Sequence, residues 1–314
     1  MHKTSGTQAT RVRWFRLVIL LLLILALAIL APSASLLPSA FADSLTLSAP
    51  APLPIDDSPG YLPNPAAYLP DGAGYQDASL SVRVEMDRAY DTNIMLVYIQ
   101  VADPSQIRSA MASYYGSSAT EFGYTMAKRN HAVLAVNGDF FSIHNGGYLV
   151  RQGKLYRNML YGDMDVLIID NKGDFHIVQN ATRESVAPFA DTVVNSFCFG
   201  PALVMDGVRC EKLEKDEAAP NKLAQRICIA QTGPLSYLCV ATEGPENEGS
   251  LGLTLSQFAD YVYGKNVITA YNFDGGSSST VVLNDRKINS LTTEKMRQLS
   301  DILYFATAIP AGQE

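Results

Sequence analysis

Arg226-Ile227-Cys228-Ile229-Ala230-Gln231-Thr232-Gly233-Pro234-Leu235-Ser236-Tyr237-Leu238-Cys239-Val240-Ala241-Thr242-Glu243 is two apolar runs on either side of a turn sequence. It reads as strand, Thr232–Leu235 turn, strand. A turn centred between Gly233 and Pro234 puts Cys228 opposite Cys239. Cross-strand neighbours on one face are close enough to bridge. Alternation groups Arg226, Cys228 and Ala230 on one face, and Cys239, Ala241 and Glu243 on one face. In that register Arg226 and Glu243 are diagonal neighbours. They form either a structural ion pair or an arginine for a phosphate or carboxylate beside an acid.

Similar hairpins recur on both sides. Leu80–Met86 and Asn93–Val101 read as paired strands, as do Asp165–Asp170 and Phe175–Val178 about Asn171-Lys172-Gly173. Ala202–Met205 runs into an Asp206-Gly207 turn. Ala132–Val136, Val267–Phe273, Thr280–Leu283 and Asp301–Thr307 are further apolar strands. Two helices are expected. Ser118-Ala119-Thr120-Glu121 has the capping-box pattern before a helix ending near Asn130, and Thr254-x-x-Gln257 has it before a helix stopped by Gly264. The expectation is α+β: a strand-rich single domain, antiparallel or mixed sheets, flanked by a few helices.

The 314 residues are 47% apolar and 18% charged, as in ordinary globular proteins, with a net charge of −7. Lys3, Arg11, Arg13 and Arg16 are the only charges before Asp43; without them 20 cations face 31 acids, a net −11. That balance argues against nucleic-acid binding, which needs many phosphate-neutralising cations. It leaves room for a phosphorylated substrate held by one or two local arginines. Residues 1–42 have the order of a secretory signal: a basic start, 15 uncharged residues from Leu17 to Ala31, then Ala40-Phe41-Ala42. The run is short of the ~20 residues of a bilayer span, and a cleaved signal peptide and a signal anchor both remain open. Either places the chain outside the cytoplasmic membrane, touching membrane only through this segment. Residues 43–77 carry seven prolines and read as an extended extracytoplasmic linker before a folded unit over 78–310. No internal repeat is evident. The four cysteines, Cys198, Cys210, Cys228 and Cys239, allow three pairings. Cys228–Cys239 has local support, with two buried thiols as the alternative.

Three apolar strands end in polar residues. Asn137-Gly138-Asp139-Phe140-Phe141 reads as a plain turn or as an aromatic wall beside a pocket into which Asp139 faces. The hairpin ends in Arg226 and Glu243. Asn272-Phe273-Asp274-Gly275-Gly276-Ser277-Ser278-Ser279-Thr280 reads as a flexible turn or as a site in which an acid stands beside amides able to cradle an anion. Alternation puts Asn272 and Asp274 on the same side. Nucleotide-loop, H-E-x-x-H and G-x-S-x-G motifs are missing, and the cysteine spacing matches no zinc site. Cofactors are unknown, and the sequence requires none. His131 reads as structural and His144 as a weak pocket candidate, while Asn180-Ala181-Thr182 fits a glycosylation acceptor.

These segments, in this order, resemble the phosphodiester glycosidase family. The resemblance runs from about Asp91 to Phe305 and is carried by AVNGDFF (Ala135–Phe141), GYLVRQGKLYR (Gly147–Arg157) and FGPALVMDG (Phe199–Gly207). It also takes in the Arg226 strand, Glu243-Gly244, NFDGGSSST (Asn272–Thr280) and Ser300-Asp301-Ile302-Leu303-Tyr304. Two motifs depart from the family pattern. Gln225-Arg226-Ile227-Cys228-Ile229-Ala230 stands for Pro-Arg-Thr-Ala-Ile-Gly, and Ser277 stands for a third glycine. The resemblance implies a hydrolase that releases a GlcNAc-like sugar from a sugar-1-phosphodiester in phosphorylated envelope or exopolysaccharide glycans. A non-catalytic glycan-binding module and a phosphodiesterase are the alternatives. On this reading Asp274, Asp139 and Glu243 are the catalytic carboxylates. Arg226 and Arg151 hold the phosphate, with Gly275, Gly276, Ser277 and Ser278 adding contacts. Asn137 and Asn272 orient groups, and Gly200 shapes the pocket.

Overall fold

The computed structural model describes residues 47–143, 145–213, 219–289 and 296–312. The expected leader, residues 1–42, and His144 lie outside them. Among the described residues no helix is long and apolar enough to cross a membrane. In chain order the elements are β1 (Gly74–Gln76), β2 (Leu80–Ala89), β3 (Thr92–Val101), β4 (Ile107–Met111), α1 (Gly123–Arg129) and β5 (Leu134–Asn137). Next come β6 (Gly147–Arg151), β7 (Lys154–Met159), β8 (Val166–Asp170), β9 (Phe175–Val178), α2 (Arg183–Val186), β10 (Val193–Phe197), β11 (Ala202–Met205) and β12 (Val208–Arg209). The chain closes with β13 (Ile227–Gly233), β14 (Ser236–Thr242), α3 (Leu255–Tyr263), β15 (Thr269–Phe273), β16 (Val281–Leu283), β17 (Arg286–Lys287) and β18 (Asp301–Phe305).

Two sheets face each other. One has eight strands in the order β1-β2-β3-β14-β13-β15-β11-β12, the other five in the order β17-β16-β5-β18-β4. A three-stranded β10-β8-β9 sheet and the β6–β7 hairpin complete the strands. The pairings are antiparallel throughout, so the architecture is strand-rich α+β as expected. The inner layer takes Val97 and Ile99 of β3, Ile227 and Ile229 of β13, and Tyr271 and Phe273 of β15. From the opposite sheet it takes Leu134 and Val136 of β5, and Leu303 and Phe305 of β18. The outer face of the large sheet packs Cys228, Ala230, Leu238 and Val240 against Leu255, Phe258, Ala259 and Val262 of α3. The outer face of the smaller sheet packs Ala135, Ile302 and Tyr304 against Met126 and Ala127 of α1. Central strands are thus covered on both faces, which is why β13 and β14 are apolar at successive positions instead of alternating.

Four local expectations change. The β13–β14 register pairs Ile229 with Cys239 and Cys228 with Val240, with an irregularity between Gln231 and Gly233. The turn lies half a residue further along than the sequence suggested, and the two cysteines fall on opposite faces of the sheet. Cys239 enters the inner layer and Cys228 the layer under α3. All four cysteines are free thiols, so the Cys228–Cys239 disulfide does not form. The same slip separates the faces of Arg226 and Glu243, so the ion pair proposed for them has no geometric basis.

The Ser118–Glu121 capping box is not made. Glu121 is drawn into a bridge with Leu299, its amide and carbonyl both paired there. Helix α1 therefore begins after Phe122, which supplies no side-chain cap. The Thr254–Gln257 box, by contrast, is present at α3.

The proline-rich stretch is not a free linker from residue 47 onward. Leu53 is buried in the α1 layer and β1 pairs with β2. Arg108, buried on β4, donates to the carbonyls of Pro54 (2.7 Å), Asp56 (3.0 Å) and Ser58 (2.9 Å). Proline supplies extended backbone whose carbonyls remain unpaired, and the guanidinium collects them. The folded unit therefore starts well before Ala78.

Candidate active site at the converging strand ends

The ends of β5, β14 and β15 meet the starts of β13, β16 and β18 at one end of the sandwich. Asn137, last residue of β5, joins the two sheets. Its Nδ2 donates to the Asp274 carbonyl (3.0 Å) and its Oδ1 accepts the Thr280 amide (3.1 Å). Asn272 donates from Nδ2 to the Gly200 carbonyl (2.8 Å), which brings the Gly200-Pro201 turn to the same place. Gln225, at the mouth of β13, sits between two glycines. A Cβ on Gly275 would overlap the Gln225 carbonyl oxygen, and one on Gly244 would come within 2.6 Å of the Gln225 Cγ. Glycine is needed at both positions for this approach.

Asp274 is the open carboxylate here, its side chain 19% exposed, with Arg297 Nη1 3.7 Å from Oδ2. Arg297 itself is half exposed. Its guanidinium lies 5.7 Å from the Phe140 ring centre and its amide donates to the Ser277 carbonyl. Phe140 has a left-handed backbone, φ +58°, a conformation an aromatic residue seldom adopts without surrounding support. Glu243 is the second accessible acid. Its Oε2 accepts from Asn93 Nδ2 (2.9 Å) and Ser250 Oγ (2.6 Å), and it lines a cavity of about 210 Å³ with Thr242 and Asn289. Asn289 ties that cavity to the 272–280 loop through Ser279 (3.1 Å to Oγ) and the Val281 amide (2.6 Å).

Among the described residues, four buried polar atoms in and beside this loop find no hydrogen-bond partner: Asn272 Oδ1, Ser278 Oγ, Thr280 Oγ1 and Gln225 Nε2. Buried groups of this kind are normally paired, and these four sit together at one strand-end junction.

The remaining expected residues lie beneath this surface. Asp139 does not face a pocket. It is 2% exposed, with Oδ1 3.0 Å from Arg151 Nη2 and Oδ2 accepting the Cys198 amide (2.7 Å). The Arg151 Nη2 also reaches Asp301 Oδ2 at 2.6 Å, and its Nη1 donates to the Ser196 carbonyl. Arg151 is therefore committed to two carboxylates in the interior, where it is 1% exposed. Burial, with the Asp139 charge beside it, pushes Asp301 up to about 7, while the two carboxylates hold Arg151 above its ordinary value. A Cβ on Gly138 would overlap the Asp301 carboxylate, which explains that glycine. Arg226 is likewise occupied, donating to the carbonyls of Leu253 (3.0 Å), Ala219 (2.9 Å) and Lys222 (2.6 Å). Burial brings it down to about 10. Loop amides are mostly used inside the turn as well. Gly276 donates to Gln225, Ser278 to Gly275 and Ser279 to Gly276, so the expected anion cradle is largely closed.

The expected loops thus come together at one end of the sandwich, while the two expected cations, Arg151 and Arg226, are buried against protein partners. Arg297 was missed because it follows an unpatterned polar stretch and carries no motif of its own. In the sequence Asp301 stands only as the start of an apolar strand. Among the described residues no group of three or more His, Cys, Asp and Glu is placed to hold a metal ion.

Comparison with known proteins agrees with this architecture. A solved zebrafish structure, the catalytic domain of N-acetylglucosamine-1-phosphodiester alpha-N-acetylglucosaminidase auto-inhibited by its pro-peptide, superposes with a TM-score of 0.59. It is 16% identical and the match covers 79% of this chain and 87% of that one. A hypothetical protein from Synechocystis matches at TM-score 0.51 and 14% identity, over 72% of this chain and 62% of its own. In sequence, the uncharacterized SPbeta prophage-derived protein YomE of Bacillus subtilis (strain 168) is 25% identical over 198 residues. That match takes in 61% of this chain and 30% of the longer relative. The family model for phosphodiester glycosidase matches residues 130–306, more than half the chain and the stretch that contributes β5, β13, β15, β18 and the acids between them; the protein belongs to the phosphodiester glycosidase family.

Proposed function

We propose that this chain is an extracytoplasmic hydrolase that releases a GlcNAc-like sugar from a sugar-1-phosphodiester in a phosphorylated envelope or exopolysaccharide glycan. The observation that carries the reading is the open Asp274 carboxylate with Arg297 3.7 Å away, at a junction lined by unpartnered buried polar atoms. Family membership supplies the reaction class, and the zebrafish enzyme's name supplies the model sugar.

In this reaction water attacks the anomeric carbon, the carbon–oxygen bond to phosphate breaks, and free sugar and a phosphomonoester leave. The departing phosphate is already a stable anion and needs little proton donation, unlike the alcohol leaving group of ordinary glycosidases. The site must supply a carboxylate at the sugar carbon or its water, and a cation at the phosphate. Asp274 takes the first role, with Glu243 as the second carboxylate across Gln225. Arg297 takes the second, with Ser277 beside it. Asn137 and Asn272 hold the Asp274 loop. Asp139, Arg151 and Asp301 brace it from below, and Arg226 fixes the neighbouring loop. Residues 1–42 deliver the chain across the membrane as a cleaved signal or retain it as an anchor.

The test is release of sugar from a GlcNAc-1-phosphodiester. Asp274→Asn is expected to lower kcat/KM on the order of 100-fold or more, and Arg297→Ala to raise KM for the diester with the fold intact. Near-full activity in folded Asp274→Asn refutes the assignment. Heavy-oxygen water must label the sugar; label in the phosphate indicates phosphodiesterase chemistry, and binding without product indicates a binding module.

A further inference from the structure

We infer that the cavity beside Glu243 receives the acylamino substituent of an amino sugar, so that Glu243 selects which sugar the site accepts. The inference rests on the reading above that the substrate is a sugar-1-phosphodiester, and it assigns the sugar end to named residues. The cavity, about 210 Å³, is lined by Met86, Met95, Ala241, Ile288, Asn289 and Glu243, among others. Among the described residues Glu243 is the one charged group in this lining. Its Oε2 accepts from Asn93 Nδ2 (2.9 Å) and Ser250 Oγ (2.6 Å), and its amide donates to the Asn93 carbonyl. Both side-chain donors are neutral and both meet the same oxygen. The carboxylate is thus held in place with Oε1 left for a ligand. The amides in the wall are used at both ends. Asn93 Oδ1 accepts from Arg88 Nη1 (2.8 Å), and Asn289 accepts the Val281 amide and donates to Ser279.

A carboxylate accepts and does not donate, so the ligand brings an N–H or an O–H. An acid with no cation in the surrounding wall repels a phosphate. This cavity therefore takes the sugar end of the substrate, and Arg297 the phosphate end. The rest of the wall is largely methionine, alanine and isoleucine. A hydroxyl alone satisfies Glu243 and leaves that wall without contact. An ammonium satisfies Glu243 but loses its water to apolar side chains, at a desolvation cost. An acylamino group does both. Its N–H meets Oε1, and its short alkyl end meets Met86, Met95 and Ile288, where methionine adapts to an irregular shape. Position agrees. Ala241 of β14 pairs with Ile227 of β13, and Ile227 with Phe273 of β15. Glu243 and Asp274 therefore leave strands separated by one other, roughly 10 Å apart at the backbone on ordinary strand spacing. One pyranose ring and two side chains fill such a gap. The cavity also touches the Asp274 loop directly, because its wall residue Asn289 donates to Ser279 Oγ at 3.1 Å.

The experiment reads binding, not turnover. The full chain is titrated calorimetrically with N-acetylglucosamine 1-phosphate, glucosamine 1-phosphate and glucose 1-phosphate. The acetylated ligand should bind about tenfold or more tighter than either of the others. Glu243→Gln turns its oxygen to Asn93 and Ser250 and presents N–H to the cavity, so this preference should fall below about threefold. Met86→Asp, at an exposed position on the cavity wall, sets a charge against the acyl end and should lower the preference with the fold intact. Equal wild-type affinities, a preference for the free amine, no binding of any of the three, or an undiminished preference in either folded variant overturns the proposal. Wild-type binding with this preference and no sugar release refutes the hydrolase reading alone, and sugar release without the preference refutes the pocket alone.

Discussion

At the scale of single residues, Asp139, Arg151 and Asp301 form a buried charge cluster beneath the candidate site. One guanidinium stands between two acids, and removing it strands both of them. Breaking such a pair typically costs about 3–5 kcal/mol. Asp301 also gives the protein a pH signature. An aspartate ordinarily titrates near 3.8 and here does so at about 7, because burial and Asp139 disfavour its charge. Between those values the folded chain keeps a proton that the unfolded chain releases. Stability therefore falls as pH rises from about 4 to about 7 and levels off above, at up to about 1.4 kcal/mol per pH unit. Urea midpoints of the wild type should decline across that window, and Asp301→Asn should flatten the decline. An unchanged slope in the variant excludes Asp301 as its source. The sequence displayed the motif around Asp139 and made it look like a pocket acid. Nothing in a linear pattern says that Arg151, twelve positions on in β6, turns inward to meet it.

At the scale of elements, hairpins, turns and the α3 capping box were legible because each depends on residues within a few positions of one another. Two features were not. The β13–β14 register turns on one residue's difference in the Gly233–Ser236 turn, and a slip of one inverts every face. The Ser118–Glu121 helix start lost to a bridge with Leu299, a partner nearly 180 positions away in sequence. The register carries a direct prediction. With Cys228 and Cys239 on opposite faces and all four thiols free, thermal unfolding should be the same with and without reductant, and four thiols should be labelled once the chain is unfolded. A reductant-dependent shift contradicts the register. Burial also pushes Cys239 up to about 12 and Cys228 well above its ordinary value, so the folded protein should label slowly at both. Arg226 belongs to this scale too, since it ties the 219–222 loop and Leu253 to the start of β13. Arg226→Ala leaves these carbonyls unpaired, at about 1–3 kcal/mol for each group that water does not reach. Its expected effect is a lowered melting temperature first and lost activity as a consequence. A variant with unchanged melting temperature and abolished diester binding restores the phosphate role that the sequence suggested.

At the scale of the whole molecule, two sheets with a helix outside each leave one end for strand termini, and every expected site segment reaches that end. Ordered motifs far apart in the chain made this convergence legible, because chemistry-bearing residues at the ends of buried strands have few places to go. The reach of the fold toward its N-terminus was not legible, since proline spacing describes backbone conformation and not what that backbone packs on. Arg108 supplies the missing contact. Its side chain is fully buried, bonding Tyr304 within β18 and three carbonyls of the 54–58 stretch outside it. The proline-rich segment is thus a strap across the α1 layer, with Leu53 as its apolar anchor. Arg108→Ala should release it, at a cost of about 2–4 kcal/mol from the lost hydrogen bonds and the strap's packing, and protease should then cut between residues 47 and 60 while the rest of the chain stays protected. Removal of residues before Ala78 should go further, because it also deletes β1 and exposes the edge of β2. Its expected outcome is aggregation at temperatures where the full chain is stable. A soluble fragment starting at Ala78 with an unaltered melting temperature means the strap contributes nothing, and the linker reading of the prolines then stands.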